Sequence, residues 1–231
     1  MKTIKAVTIR IVVGLIGLFF TTTLKAQTLA GADGVFCKGA SVSITAATDP
    51  NAVSYIWKRY VGKDLTDPAP TTIAGQNTAT LSETLPTTPG YYTYVSIAVN
   101  AGACESDPSD PKTVYVLPDI AAAASSSYAN NILCEDKTNV GTLTANPSSV
   151  QSVSETFSAS DYSYQWNKNG SPIAGATAST YTLTATDVAT SGSFTYSVTI
   201  NYKDHTCTPA TSSNITLTVA PLAGKPVITL N

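Results

Sequence analysis

At 231 residues, with 12% charged and 43% hydrophobic side chains and a formal net charge of −2, the chain has room for two modest domains and too little basic charge for a nucleic-acid binder. The first 26 residues hold Lys2, Lys5, Arg10 and Lys25; without them 9 basic face 15 acidic side chains, a net of about −6 that also argues against anionic membrane surfaces.

Residues 1–26 read as a secretory signal peptide. A basic start is followed by the uncharged apolar run Ile11 to Phe20, which is short for a membrane span, and then by Leu24-Lys25-Ala26 before Gln27. The first cysteine is Cys37, so no lipid-modified N-terminal cysteine is expected. Export brings the chain into an oxidising compartment, where Cys37, Cys104, Cys134 and Cys207 are expected to pair.

Residues 27–118 read as one all-β domain. Val42, Ile44 and Ala46 alternate with Ser and Thr, and Trp57 sits in a strand around Tyr55. Gly62 to Pro70 is an irregular loop, Leu81 marks a short strand, and Tyr91 to Val99 and Val114 to Val116 close the domain. Residues 119–131, with the run Ala121 to Ala124, read as a linker plus the edge of the next domain because they show no apolar stripe.

Residues 132–221 repeat these events. Tyr162, Tyr164 and Trp166 alternate with Ser163, Gln165 and Asn167, and Asn169-Gly170 predicts a tight hairpin turn. Phe194, Tyr196, Val198 and Ile200 form a second alternating strand. Cys104 to Cys207 and Pro118 to Pro221 are both separated by 103 residues, Ile73 to Ile173 by 100 and Trp57 to Trp166 by 109, which indicates duplicated domains with loop-length changes. Tyr92 and Tyr94 match Phe194 and Tyr196 at an offset of 102, but Val95 and Ile97 match Val198 and Ile200 at 103. Either a bulge near Tyr94 absorbs the slip or the first copy packs a different set.

Strands of this length, each domain carrying one buried tryptophan, predict two tandem immunoglobulin-like β-sandwiches with Trp57, Trp166, Tyr94 and Tyr196 as core anchors. Read through the repeat, the cysteines pair as Cys37–Cys104 and Cys134–Cys207, each closing one domain on itself. The tail 222–231 is a possible start of a further repeat, so a shortened array is expected.

The run Cys134…Tyr164-Gln165-Trp166…Ile173-Ala174-Gly175-Ala176-Thr177…Phe194-Thr195-Tyr196-Ser197-Val198…Cys207 resembles the immunoglobulin-like repeats of bacterial secreted and surface proteins, most of all the Bacteroidetes type. The resemblance implies a secreted or cell-surface module serving as a spacer, adhesion unit or accessory domain.

Little in the sequence points to catalysis. His205 is the sole histidine and reads as an exposed turn residue, and no Gly-x-Ser-x-Gly elbow occurs. Glu105, Asp107 and Asp110 lack the ligand spacing of a calcium loop, and Glu135-Asp136 reads as a solvated turn, so no metal and no cofactor is expected. Tyr60 and Tyr91 fall outside the aligned core positions and are candidates for stacking on sugar rings. The expectation is a non-enzymatic module whose partner is a protein or a surface polymer; the alternative is a carbohydrate-binding accessory module.

Overall fold

The computed structural model describes residues 29–135 and 141–230, so residues 1–26, expected as a signal peptide, lie outside the described residues. The first half contributes β1 (Gly34–Phe36), β2 (Ser41–Thr45), β3 (Ala52–Val61), β4 (Thr71–Thr72), β5 (Thr80–Thr84), β6 (Gly90–Asn100) and β7 (Lys112–Val116). The second contributes β8 (Ile120–Ser126), β9 (Ile132–Cys134), β10 (Thr142–Ser149), β11 (Tyr162–Lys168), β12 (Ser171–Pro172), β13 (Thr180–Thr182), β14 (Gly192–Tyr202), β15 (Ala210–Thr211) and β16 (Ile215–Ala220).

In the first sandwich the sheet β1-β7-β6-β3-β4 packs against the pair β2-β5, and Val42, Trp57, Leu81, Tyr92, Tyr94, Val114 and Val116 fill the space between. In the second, the sheet β12-β11-β14-β16-β9, with β15 beside β14, packs against β13-β10-β8 around Leu143, Trp166, Tyr196, Val198, Ile200 and Leu217. The chain is thus all-β, two sandwiches in tandem, each built by burying one face of alternating strands.

The duplication holds for the strands the two copies share; β8 and β15 have no counterpart strand in the first copy among the described residues. β1, lying parallel to β7, corresponds to β9, lying parallel to β16. The β3–β6 pair corresponds to β11–β14, with Arg59 opposite Tyr94 and Lys168 opposite Tyr196. Each tryptophan donates its indole N–H to a backbone carbonyl at the same place in the repeat, Trp57 to Thr78 at 2.9 Å and Trp166 to Ala178 at 3.0 Å. Asn169 and Gly170 take φ of 50° and 81°, joining Lys168 to its partner Ser171 in a two-residue turn, since both residues tolerate positive φ.

Three expectations change. The alanine run, expected as linker plus domain edge, is an edge strand and not a linker: β8 pairs with β10 from Leu143↔Ser126 to Ser149↔Ile120 in the second sandwich. Its residues Ile120, Ala122 and Ala124 alternate onto the core, and with alanine at two of the three positions the strand shows no obvious apolar stripe in sequence. No bulge occurs near Tyr94. Pairing with β3 is regular from Ser54↔Val99 to Val61↔Tyr92, and the irregularity lies at Ala52/Ser54. Since Trp57 lies opposite Ser96 and Trp166 opposite Val198, the offset of 102 runs through the whole strand. Val95 and Ile97 are therefore buried on the face turned away from Trp57, and the extra residue falls in the loop before Cys207.

The third change is the disulfide. Cys37 is bonded to Cys207, with a Cα–Cα distance of 5.3 Å, while Cys104 and Cys134 are free and exposed. The reason is strand direction. Phe36 pairs with Val116, and Val116 with Gly90 at the start of β6. Cys104 follows Asn100 at the far end of that strand, about 30 Å away at the usual rise per residue, well beyond the reach of a disulfide. Cys134, beside Ala220, and Cys207, beyond Tyr202, sit in the same way at opposite ends of the second sandwich.

Candidate functional site: the junction between the sandwiches

β7 ends at Val116 and β8 begins at Ile120, so three residues join the two sandwiches. Around them the side chains of both domains form one apolar cluster. Tyr91, Tyr115, Leu117 and Ile120 belong to the same buried group as Tyr162, Trp166 and Tyr202. Tyr91 meets Tyr115 edge-on at 4.6 Å, Phe157 lies 6.5 Å from Tyr115 and 5.5 Å from Tyr202, and Tyr162 stacks on Tyr202 at 5.4 Å. Such pairs add to the area they bury. The Tyr202 hydroxyl donates to the Pro118 carbonyl at 3.0 Å, tying β14 to the connecting residues. Burial pushes the hydroxyls of Tyr115 and Tyr162 up to about 12, and raises that of Tyr202 as well, so this cluster stays neutral.

Polar contacts ring the cluster. Lys38 pairs with Asp119, whose carboxylate also accepts from the Gln151 amide at 2.9 Å. Those bonds, the lysine first, hold Asp119 below the ordinary carboxylate range. Lys63 lies 3.1 Å from Glu155, which also accepts from the Tyr91 hydroxyl at 2.9 Å; the tyrosine bond and then the lysine lower the Glu155 pKa. The Lys63 ammonium sits 4.2 Å from the Tyr91 ring centroid. The Cys37–Cys207 bond joins the end of β1 to the loop after β14 across the same seam.

Two loops that differ between the copies supply much of this seam. Gly62 to Pro70 replaces the two-residue turn of the second sandwich and brings Lys63. The segment 150–161, longer than its counterpart 46–51, brings Gln151, Glu155 and Phe157. The differing loops are thus junction loops. Sequence comparison of the copies located them but could not show that they meet.

The remaining predicted site residues do not converge. Tyr91 is 6% exposed and hydrogen-bonded within the junction, so it cannot act as a stacking platform for a sugar. Tyr60 is half-buried in β3 opposite Thr93. His205 is half-buried rather than exposed; its Nε2 is enclosed without a partner, and burial lowers its pKa against the pull of Asp204. Glu105, Asp107 and Asp110 are exposed, and among the described residues no group of three or more His, Cys, Asp or Glu is placed to hold a metal ion. Among the described residues no helix is long and apolar enough to cross a membrane.

Trp57, Trp166, Tyr94 and Tyr196 are all buried. Tyr196 and Tyr181 donate their hydroxyls to Asp187, at 3.1 Å and 2.8 Å, and Lys168 lies 2.9 Å from the same carboxylate. Burial alone would raise the Asp187 pKa; the Thr184 N–H, the Lys168 ammonium and the Thr184 and Tyr181 hydroxyls outweigh it and hold the group at about 2. A folded pKa below the ordinary 3.8 means that this stabilisation is full above about pH 4 and is lost as the pH falls toward 2. The expected contribution at neutral pH is about 2 kcal/mol. Urea unfolding of the wild type and Asp187→Asn should therefore differ by about that amount at pH 7 and converge near pH 2. An unchanged gap at pH 2 would show that the carboxylate charge is not responsible.

No protein-family profile matches the chain, and no curated protein matches it. Among solved structures it is similar to the fibronectin(III)-like modules of Clostridium thermocellum CbhA, with 17% identity over 86% of this chain and 96% of that one and a TM-score of 0.37. It is also similar to the FN1–FN3 domains of chicken CNTN1, with 11% identity over 80% of this chain and 62% of that one and a TM-score of 0.35. These likenesses are weak, and the assignment to tandem immunoglobulin-like sandwiches rests on the strand order and register given above.

Proposed function

We propose that this chain is a non-enzymatic, secreted or cell-surface module whose function is mechanical: a stiff two-sandwich rod that acts as a spacer and presents its outer loops and strand edges to a protein or surface polymer. The observation that carries this reading is the junction. A flexible linker would leave two modules free to swing, whereas here a covalent bond, a tyrosine-rich cluster, one ion pair between the sandwiches and one to the connecting residues fix their relative orientation. The ion pairs are partly exposed and contribute orientation more than energy. A disulfide between the domains fits an oxidising, extracellular compartment. The carbohydrate-binding alternative loses its aromatic platform with the burial of Tyr91.

Residual dipolar couplings measured on the oxidised protein test the rod. A single alignment tensor shared by both sandwiches is expected, and two independent tensors would contradict the proposal. Specific, saturable binding on a glycan array would instead restore the carbohydrate reading.

A further inference from the structure

The bonded cysteines occupy opposite positions of the repeat. Cys37 follows Phe36, which pairs with Val116 at the end of β7; Cys134 follows Leu133, which pairs with Val219 near the end of β16. Cys37 and Cys134 are therefore equivalent. Cys104 and Cys207, each in the loop that follows the long strand β6 or β14, are equivalent too. The structure thus contains one completed joint: the lower cysteine of a leading sandwich bonded to the upper cysteine of the sandwich that follows it. It also contains both halves of a second joint. Cys134 is a lower cysteine with no bonded partner, Cys104 is an upper cysteine with none, and both are exposed.

The strand edges show the same pattern independently. In the second sandwich β10 is paired on both sides, by β13 and by β8, and β8 is the strand that enters directly from the preceding module. In the first sandwich β2 pairs with β5, and among the described residues no strand occupies the position of β8. A groove of about 210 Å³ opens there, lined in part by Ile44, Ala46, Trp57, Tyr94 and Ser96. At the other end of the chain, Pro221 to Leu230 follows β16 as Pro118 and β8 follow β7, yet carries no regular structure. Val227, Ile228 and Leu230 are 88%, 91% and 100% exposed. An unpaired edge over a groove that is apolar along Ile44, Ala46 and Trp57, with Asp110 and Lys112 at its other side, and an apolar segment without a sheet are complementary features.

We infer that a second copy of this chain completes the joint head to tail. The segment Pro226 to Leu230 of one copy adds to β2 of the next, and Cys134 of the first becomes bonded to Cys104 of the second. Repetition of the contact is heterologous and generates a linear, covalently linked fibre. With glutathione disulfide as oxidant, the Cys134 thiolate attacks it, forming a mixed disulfide and releasing one glutathione thiolate. The Cys104 thiolate of the next copy then attacks the Cys134 sulfur, the protein disulfide forms, and the second glutathione leaves. Two protein thiols are oxidised and one glutathione disulfide is reduced to two glutathiones. The inference goes beyond the in-chain rod, which stands or falls separately on Cys37–Cys207.

The test is oxidation of the purified protein with glutathione disulfide, read by non-reducing electrophoresis and peptide mapping. The wild type is expected to give a ladder. Cys104→Ser and Cys134→Ser are each expected to stay monomeric alone and to form dimers only when mixed, because each retains the half that the other lacks. A mixture of ¹⁵N-labelled and unlabelled wild type is expected to yield Cys104–Cys134 peptides of mixed isotope. A wild type that stays monomeric, Cys104–Cys104 or Cys134–Cys134 links, or a Cys104–Cys134 link within one chain would each overturn the inference. The double variant Val227→Asp/Ile228→Asp is expected to slow dimer formation several-fold while leaving Cys37–Cys207 intact; an unchanged rate would refute the docking of the tail strand.

Discussion

Replacing Cys37 and Cys207 together by serine is expected to lower the unfolding free energy by up to about 5 kcal/mol, the chain-entropy value for a loop this long. The bond spans 170 residues of sequence and encloses most of both sandwiches, so its loss enlarges the unfolded ensemble more than a bridge within one domain would. The contacts that remain at the seam, chiefly Tyr202 on Pro118 and the tyrosine cluster, keep the domains in contact but no longer force them to unfold together. Guanidinium unfolding should therefore change from one transition to two, with the earlier midpoint well below that of the oxidised wild type. A single unshifted transition in the variant would show that the bridge adds nothing to the junction.

The second large effect is at Trp166. Trp166→Ala is expected to cost about 3–5 kcal/mol, because the indole is fully buried and its removal leaves a cavity that the surrounding strands cannot close. The Ala178 carbonyl also loses its donor. Trp57→Ala should cost less, although Trp57 is also buried and makes the equivalent bond. Among the described residues its sandwich has no strand in the place that β8 fills in the other, and the groove beside Ile44 and Tyr94 lets the site relax and admit water. Chemical denaturation of the two variants at low protein concentration compares them directly. Equal losses would mean that the open side of the first sandwich is as well packed as the closed one.

The alternation of Tyr162, Tyr164 and Trp166 with polar neighbours, and the Asn169-Gly170 turn after it, were readable because strand period and turn chemistry are local properties. The β8 strand was readable only as a domain edge mixed with linker: alanine carries no strand preference, and its role depends on the close approach of β10, which only the assembled sandwich supplies. The cysteine pairing failed for a related reason. Matching copies in sequence shows which cysteines are equivalent but not which are near. A signal for nearness did exist. Cys37 follows β1 and Cys104 follows β6, and these two strands of one sheet run in opposite directions, so the residues that follow them must lie at opposite ends of the sandwich. The junction itself was illegible for a deeper reason, since Lys63, Glu155 and Phe157 come from loops whose meeting depends on how one domain is set on the other.

That setting is the central claim, and non-reducing peptide mapping by mass spectrometry tests it most directly. A peptide containing Cys37 joined to one containing Cys207 is the predicted result; Cys37 joined to Cys104, or Cys134 to Cys207, would contradict it.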